Sequence, residues 1–155
     1  MTVSAPYYGE NTAMRTPPPD LPSLLLKERI VYLGLPLFSD DDAKRQLGMD
    51  VTELIIAQLL YLEFDDPDKP IYFYINSTGT SWYTGDAVGF ETEAFAICDT
   101  INYIKPPIHT ICIGQAMGTA AVILSSGTKG HRAALPQASI VLHQPLSGAR
   151  GHATE

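Results

Sequence analysis

Residues 71–75 read Ile-Tyr-Phe-Tyr-Ile. Aromatic and β-branched residues of this kind fit the pleated surface of a β-strand. Because no charged residue interrupts the run, it predicts a strand buried on both faces, as strands are in a parallel sheet. A loop of small residues follows directly, at positions 76–81.

The segments on either side of this run alternate between strand and helix patterns. Short apolar runs predict further strands, and apolar residues recurring every three or four positions predict helices. The resulting order β-α-β-α-β-α-β predicts an α/β fold with right-handed crossovers and a mostly parallel sheet. The predicted strands are residues 29–33, 71–75, 108–113 and 140–142, and the predicted helices are residues 51–64, 90–104 and 114–126.

Two polar segments carry helix-start signals. Asp50 precedes one predicted helix, and Glu53 is placed to reach back to it, as in a capping box. Ser39 is followed by a run of aspartates at positions 40–42. Carboxylates in a first helical turn favour the positive end of the helix dipole, so we interpret this acidic run as a cap and not as a metal site.

The chain length of 155 residues predicts one domain. Residues 1–22 are predicted to form an irregular N-terminal arm, because prolines recur there, and the arm is either a disordered tail or an ordered docking segment. Residues 23–155 are predicted to form a single α/β head domain. Because residues 154–155 look like the start of a helix, we expect the domain to be incomplete at its C-terminus, with a frayed natural terminus as the alternative.

Composition excludes several partners and cofactors. The net charge is −7 and the basic residues are scattered, which predicts no nucleic-acid partner. No run of apolar residues is long enough to predict a membrane span, and the first residues do not resemble a targeting peptide. Cys98 and Cys112 show no metal or redox spacing, so we expect buried thiols, no metal and no cofactor.

Six segments of the chain follow a known pattern in order: residues 25–34, 56–63, 74–77, 110–116, 135–136 and 143–146. Together they resemble the proteolytic subunit of the ATP-dependent Clp protease. The resemblance begins near Ser23 and continues in order to the end of the chain. Departures from the family pattern look like the ClpR-type subunits of cyanobacteria and plastids.

The resemblance implies a Clp/crotonase-type βαβ spiral that lacks the C-terminal handle region. Family members form heptameric rings that stack into a closed chamber, and an AAA+ Clp ATPase unfoldase feeds this chamber with unfolded protein substrates. The implied partners are therefore catalytic Clp proteolytic subunits in a mixed ring, the unfoldase and its substrates. The implied location is the cytoplasm, as in cyanobacteria, in preference to the plastid stroma.

The catalytic segment departs from the family pattern at its central residue. Active members have Gly-Gln-Ala-Ala-Ser-Met-Gly, whereas residues 114–120 read Gly-Gln-Ala-Met-Gly-Thr-Ala. Gly118 then takes the place of the nucleophilic serine, so no acyl-enzyme is expected to form there. His143 matches the catalytic histidine, and the aspartate that the family places well downstream of it does not occur before Glu155.

The oxyanion-hole position is assigned by the resemblance to Gly79, Thr80 and Thr119. The family usually has Pro-Gly-Gly where residues 78–80 read Thr-Gly-Thr, and the second glycine donates its backbone N–H to the oxyanion. Because Thr80 is β-branched, we expect that donor to point elsewhere. An insertion within residues 82–91 brings aromatic side chains, which we expect to pack locally and not to face the chamber: Trp82, Tyr83 and Phe90.

The resemblance favours a non-catalytic, ring-forming Clp subunit that contributes structure and partner docking. Two other functions stay open on the sequence. One is an active Clp-type serine endopeptidase with an unrecognised nucleophile, for which Thr119 is the neighbouring hydroxyl. The other is a crotonase-like enzyme that uses a backbone oxyanion hole on an acyl-CoA. Labelling by a serine-directed fluorophosphonate tests the first alternative, and binding of CoA thioesters tests the second.

Overall fold

The structure is a computed structural model that describes residues 20–38, 50–81 and 89–143. Helices and strands alternate along these segments, with a short helix before the first strand. The helices are α1 (Leu21–Lys27), α2 (Val51–Asp65), α3 (Glu91–Tyr103) and α4 (Thr119–Ser125), and the strands are β1 (Ile30–Leu33), β2 (Ile71–Ser77), β3 (Ile108–Met117), β4 (Arg132–Ala134) and β5 (Ser139–Val141).

All of the described strands belong to one parallel sheet. β1 pairs with β2, and β2 pairs with β3, with Ile71 opposite Ile108. The long strand β3 then carries two partners in succession: β4 lies beside residues 110–112 and β5 beside residues 115–117. The predicted α/β fold with a mostly parallel sheet is confirmed, and α2, α3 and α4 form a layer beside it.

One face of the sheet holds the core, whereas the other is partly open in the described part of the chain. Along β2, Ile71, Phe73 and Ile75 are buried, but Tyr72 is exposed and Tyr74 is half-buried. The prediction that residues 71–75 are buried on both faces is therefore wrong for this strand. Side chains in a strand alternate between the two faces, and only the Phe73 face looks onto the buried core cluster.

The segment predicted as one helix over residues 114–126 is divided between a strand and a helix. β3 continues to Met117, and α4 begins only at Thr119. The small apolar residues of this segment fit a buried helix, but β5 offers residues 115–117 a parallel partner that satisfies their backbone groups. Tertiary pairing thus overrides the local pattern at this point.

Smaller differences concern the ends of elements. α1 begins inside the range 1–22 that was predicted to be irregular, with a proline in its first turn. β4 was not predicted, and β5 begins and ends one residue earlier than predicted, at Ser139 and Val141. The rest of the arm and the acidic run at positions 40–42 lie outside the described residues.

Both cysteines are buried free thiols, as predicted. Burial raises the pKa of Cys98 and of Cys112, so both resist ionisation. None of the helices in the segments that the structure describes is long and apolar enough to cross a membrane.

Arg29 ties the start of the sheet to the end of α2. It lies just before β1, with a positive φ of 60° and only 8% of its surface exposed. Its guanidinium donates to the carboxylate of Asp65 at 3.1 Å and to four backbone carbonyls around the α2–β2 turn. Those carbonyls belong to Leu62, Asp66, Lys69 and Pro70.

Replacing Arg29 should destabilise the chain strongly. Arg29→Met leaves one buried and three part-buried carbonyls without this donor, and we expect the free energy of unfolding to fall by about 3 kcal/mol. Arg29→Lys should rescue little, because one ammonium cannot span the acceptors that the planar guanidinium reaches. Urea unfolding followed by circular dichroism measures the change.

The matched control is Asp65→Asn, which keeps the side-chain size and removes only the ion pair. Because the Asp65 side chain is 53% exposed, this variant should lose less than about 1 kcal/mol. Equal losses for Asp65→Asn and Arg29→Met would show that the carboxylate, and not the set of carbonyls, determines the contribution of Arg29.

Two histidines stack on the open face of the sheet. The rings of His109 and His131 are nearly parallel, with their centroids 4.1 Å apart, and Tyr72 meets His109 edge-on at 5.1 Å. His131 is exposed, whereas His109 is half-buried. Burial, together with the nearby charge of His131, lowers the pKa of His109 below its usual value of 6.5.

Stability should therefore fall as the pH falls below about 6.5. The unfolded chain protonates His109 at its ordinary pKa, whereas the folded chain resists protonation, so acid favours the unfolded state in this window. His109→Gln removes this titration and should flatten the decline in urea midpoint between about pH 7 and pH 5. An unchanged decline in this variant would contradict the assignment to His109.

Candidate active site

Gly118 occupies a sharp turn between a strand and a helix. β3 ends at Met117, α4 begins at Thr119, and Gly118 between them has φ 53° and ψ −116°. In serine hydrolases, a turn of this kind from strand to helix exposes the nucleophile above the sheet. A positive φ strains residues that carry a side chain, and glycine adopts it freely.

Backbone hydrogen bonds hold this turn in place. The N–H of Gly118 donates to the carbonyl of Val141 at 2.9 Å, which joins the turn to the end of β5. The carbonyl of Gly118 accepts from Ala121 at 3.1 Å and from Val122 at 3.3 Å, which starts α4. The turn is thus fixed by main-chain groups, without any contribution from a side chain at position 118.

The structure brings Gly118 and His143 together. A Cβ atom built on Gly118 would lie 3.3 Å from Nε2 of His143 and 3.9 Å from its Cε1. The short strand β5 positions the imidazole, since His143 follows its last residue, Val141, by two positions. A histidine nitrogen therefore faces the space that a nucleophilic side chain would fill. Gly118 has no side chain to fill that space.

The loop that follows β2 lies beside this turn and is held from both sides. The hydroxyl of Ser77 donates to the carbonyl of Leu35 at 2.7 Å and accepts from the N–H of Gly79 at 3.0 Å. The carbonyl of Gly79 accepts from the N–H of Leu37 at 2.8 Å. With φ at 69°, Gly79 turns the chain so that the next N–H faces the start of α4.

That next N–H belongs to Thr80, and it is already occupied. It donates to the hydroxyl of Thr119 at 2.9 Å, and the two threonine hydroxyl oxygens lie 3.2 Å apart. The structure thus places the residues predicted for the oxyanion-hole position around one point. The sequence predicts that the Thr80 N–H points elsewhere because Thr80 is β-branched, and in the structure this N–H points at the hydroxyl of Thr119.

Sequence reasoning missed this acceptor role of Thr119 and the supporting roles of Ser77 and Val141. A threonine in the first helical position after a glycine was a visible signal, because its hydroxyl can reach a neighbouring backbone donor. The supporting roles depend on strand register, which the sequence does not display.

The surroundings of the site contain no metal-binding group in the segments that the structure describes. No cluster of three or more histidine, cysteine, aspartate or glutamate side chains that could hold a metal occurs there. Phe90, the described aromatic of the predicted insertion, is 69% exposed. Trp82 and Tyr83 lie outside the described residues.

The parallel sheet and the glycine turn facing a histidine define an α/β head of the Clp/crotonase type. Comparison with known families matches residues 19–155 to the Clp protease family. The chain belongs to the Clp protease family, which confirms the resemblance read from the sequence.

Relatives and a solved structure agree with this assignment. An ATP-dependent Clp protease proteolytic subunit-like protein of Synechococcus elongatus is 78% identical, over 99% of this chain and 67% of its own length. The chloroplast Clp proteolytic subunit-related protein 4 of Arabidopsis thaliana is 49% identical, over 96% of this chain and 45% of its own length. Relatives with these names are consistent with the ClpR type.

The crystal structure of a peptidase from Plasmodium falciparum matches with a TM-score of 0.73 and 38% identity, over 86% of this chain and 68% of that chain.

Restoring a serine at position 118 should not restore peptide hydrolysis in this 155-residue chain. The Gly118→Ser hydroxyl would return beside His143, but no aspartate follows His143 in the sequence. In a well-studied serine protease, neutralising the triad carboxylate alone lowers turnover by roughly ten-thousand-fold. Hydrolysis of a short fluorogenic peptide by the purified variant, without other Clp subunits, measures this.

Gly118→Ala is the matched control, since it adds the Cβ atom without the hydroxyl. Both variants should turn over peptide at the background rate. Turnover by Gly118→Ser near that of an active Clp subunit would show that the hydroxyl alone restores peptide hydrolysis, and would contradict this prediction.

Proposed function

We propose that this chain is a non-catalytic, ring-forming subunit of the ATP-dependent Clp protease core. The observation that carries the proposal is Gly118 at the strand-to-helix turn, facing His143. Acyl transfer needs an attacking hydroxyl or thiol at this position, and glycine offers neither. Membership of the Clp protease family supports the architectural part of the proposal.

The framework around the lost nucleophile supports a structural role. The turn at Gly118 is held by Val141 and by the first turn of α4, and the loop at Gly79 is held by Ser77 and Leu37. None of these contacts needs catalysis for its stability. The backbone of the site is therefore maintained without an attacking side chain.

Exposed aromatic side chains support docking to another protein. Phe64, at the end of α2, is 88% exposed, and Tyr103, at the end of α3, is 78% exposed. The two helix ends lie together, because the N–H of Lys105 donates to the carboxylate of Glu63 at 3.3 Å. Aromatic residues are enriched in the cores of protein interfaces, so we assign this aromatic pair, Phe64 and Tyr103, to a subunit contact.

The proposed partners are catalytic Clp proteolytic subunits in a mixed ring, with an AAA+ Clp ATPase unfoldase delivering unfolded protein substrates. A cytoplasmic location belongs to the same proposal. For an active peptidase, the candidate nucleophile near the turn is the hydroxyl of Thr119, which is engaged with Thr80. No feature of the described site favours an acyl-CoA substrate over a peptide.

Co-purification tests the assembly. The chain should be recovered with a tagged catalytic Clp subunit after co-expression, and Phe64→Glu with Tyr103→Glu should reduce that recovery at least about ten-fold, because charges in an interface core are costly to desolvate. The purified chain alone should react with no fluorophosphonate. Labelling of the chain by the fluorophosphonate would contradict the non-catalytic assignment.

Phe90→Glu is the control for these charge substitutions. Phe90 is a similarly exposed aromatic, at 69%, but it lies at the opposite end of α3. The Phe90→Glu variant should be recovered with the tagged catalytic subunit as efficiently as the unmodified chain. Equal loss in all of the variants would show that the aromatic pair is not a specific contact, and full recovery of the double variant would remove it from the interface.

A further inference from the structure

The hydroxyl of Thr119 contacts the loop that follows β2. It accepts from the N–H of Thr80 at 2.9 Å and lies 3.2 Å from the Thr80 hydroxyl oxygen. A Cβ atom built on Gly79 would lie 2.3 Å from it, so the hydroxyl is packed directly against the loop backbone. We propose that Thr119 closes the oxyanion position from within, as a block independent of the missing nucleophile. This inference rests on the proposed non-catalytic function and extends it.

The position follows from the geometry of hydrolase turns in general. An oxyanion hole at such a turn combines the N–H of the residue after the nucleophile with an N–H from a neighbouring loop. Here the residue after Gly118 is Thr119, and the loop N–H that faces it is that of Thr80. The hydroxyl of Thr119 therefore takes up the donor that a substrate oxyanion would need.

Neighbouring groups stabilise the contact between the Thr80 N–H and the Thr119 hydroxyl. Thr80 is only 6% exposed, so its N–H needs an acceptor within the protein. The peptide of Gly79 is anchored on one side by Ser77 and on the other by Leu37, which leaves the Thr80 N–H little freedom to turn. The hydroxyl of Thr119 also lies directly against Gly79, on the residue before this N–H.

Two independent changes at this turn thus act in addition to the absence of an aspartate after His143 in this chain. Gly118 removes the attacking group, and Thr119 occupies a donor that would stabilise the product of the attack. Substituting serine for Gly118 reverses the first change and leaves the second in place. A residue without a hydroxyl at position 119 should free the donor.

Amide hydrogen exchange measures the contact directly. In the otherwise unmodified chain, Thr119→Val keeps the side-chain shape and removes the acceptor, whereas Thr119→Ser keeps a hydroxyl. We expect exchange at the Thr80 amide to become at least about ten-fold faster in Thr119→Val and to stay near its original rate in Thr119→Ser. The Gly118 amide, which bonds to Val141, is the internal reference and should not change.

Fluorophosphonate labelling in a Gly118→Ser background measures the consequence. The introduced hydroxyl attacks phosphorus, its proton passes to Nε2 of His143, the P–F bond breaks, and fluoride leaves while negative charge gathers on the phosphoryl oxygen. Adding Thr119→Val should raise the labelling rate about ten-fold or more, since one oxyanion donor is worth roughly 10²–10³ in rate. Adding Thr119→Ser should not raise it.

The outcomes separate this inference from the proposed function. Unchanged exchange at the Thr80 amide in Thr119→Val would overturn the contact. Equal labelling of Gly118→Ser with and without Thr119→Val, including no labelling of either, would overturn its role in closing the site. Labelling of the unmodified chain would instead overturn the non-catalytic function and leave the exchange result standing.

Discussion

The set of hydrogen bonds from Arg29 determines where the sheet begins. One guanidinium satisfies carbonyls from the last turn of α2 to the residue before β2, and its own backbone turns with φ 60° into β1. Because β1 and β2 then pair in parallel, the register of Ile30 against Tyr72 follows from this junction. β2 in turn delivers the loop with Gly79 and Thr80 to the site, so a buried cation far from the chemistry positions one side of it.

The other side of the site depends on β3 having two successive partners. β4 ends beside Cys112, and β5 begins beside Gln115. Between these positions the pairing of β3 with β2 shifts register, and Gly114 has a positive φ of 91°. A Cβ atom at Gly114 would lie 2.7 Å from the Asn76 amide oxygen, which accepts from the N–H of Gln115 at 3.2 Å. This close approach needs a glycine, and it directs the end of β3 toward the turn at Gly118. The geometry of the site is therefore a property of the backbone, and it does not depend on a side chain at position 118.

The sequence predicted the layers of the fold well and their junctions poorly. The run at residues 71–75 identified a parallel sheet strand, and Asp50 identified the start of α2, where its side chain accepts from the N–H of Thr52. These signals are local, so a single segment contains them. The division of residues 114–126 into strand and helix was not predictable, because the deciding partner, β5, lies more than a dozen positions further along the chain. For the same reason, the sequence assigned roles to Gly118 and His143 but did not predict the contact between the Thr119 hydroxyl and the N–H of Thr80.

The positive φ of Gly118 determines how much backbone strain the turn carries. A serine at this turn carries backbone strain of about 1–3 kcal/mol, which an active enzyme tolerates in return for an exposed nucleophile. Glycine at this position is free of that strain, so the folded backbone is less strained with glycine than with serine. The reverse substitution would bring the strain back and push a Cβ atom to 3.3 Å from the His143 nitrogen. With Thr119 in its present contact, the strain would return while the N–H of Thr80 stayed engaged.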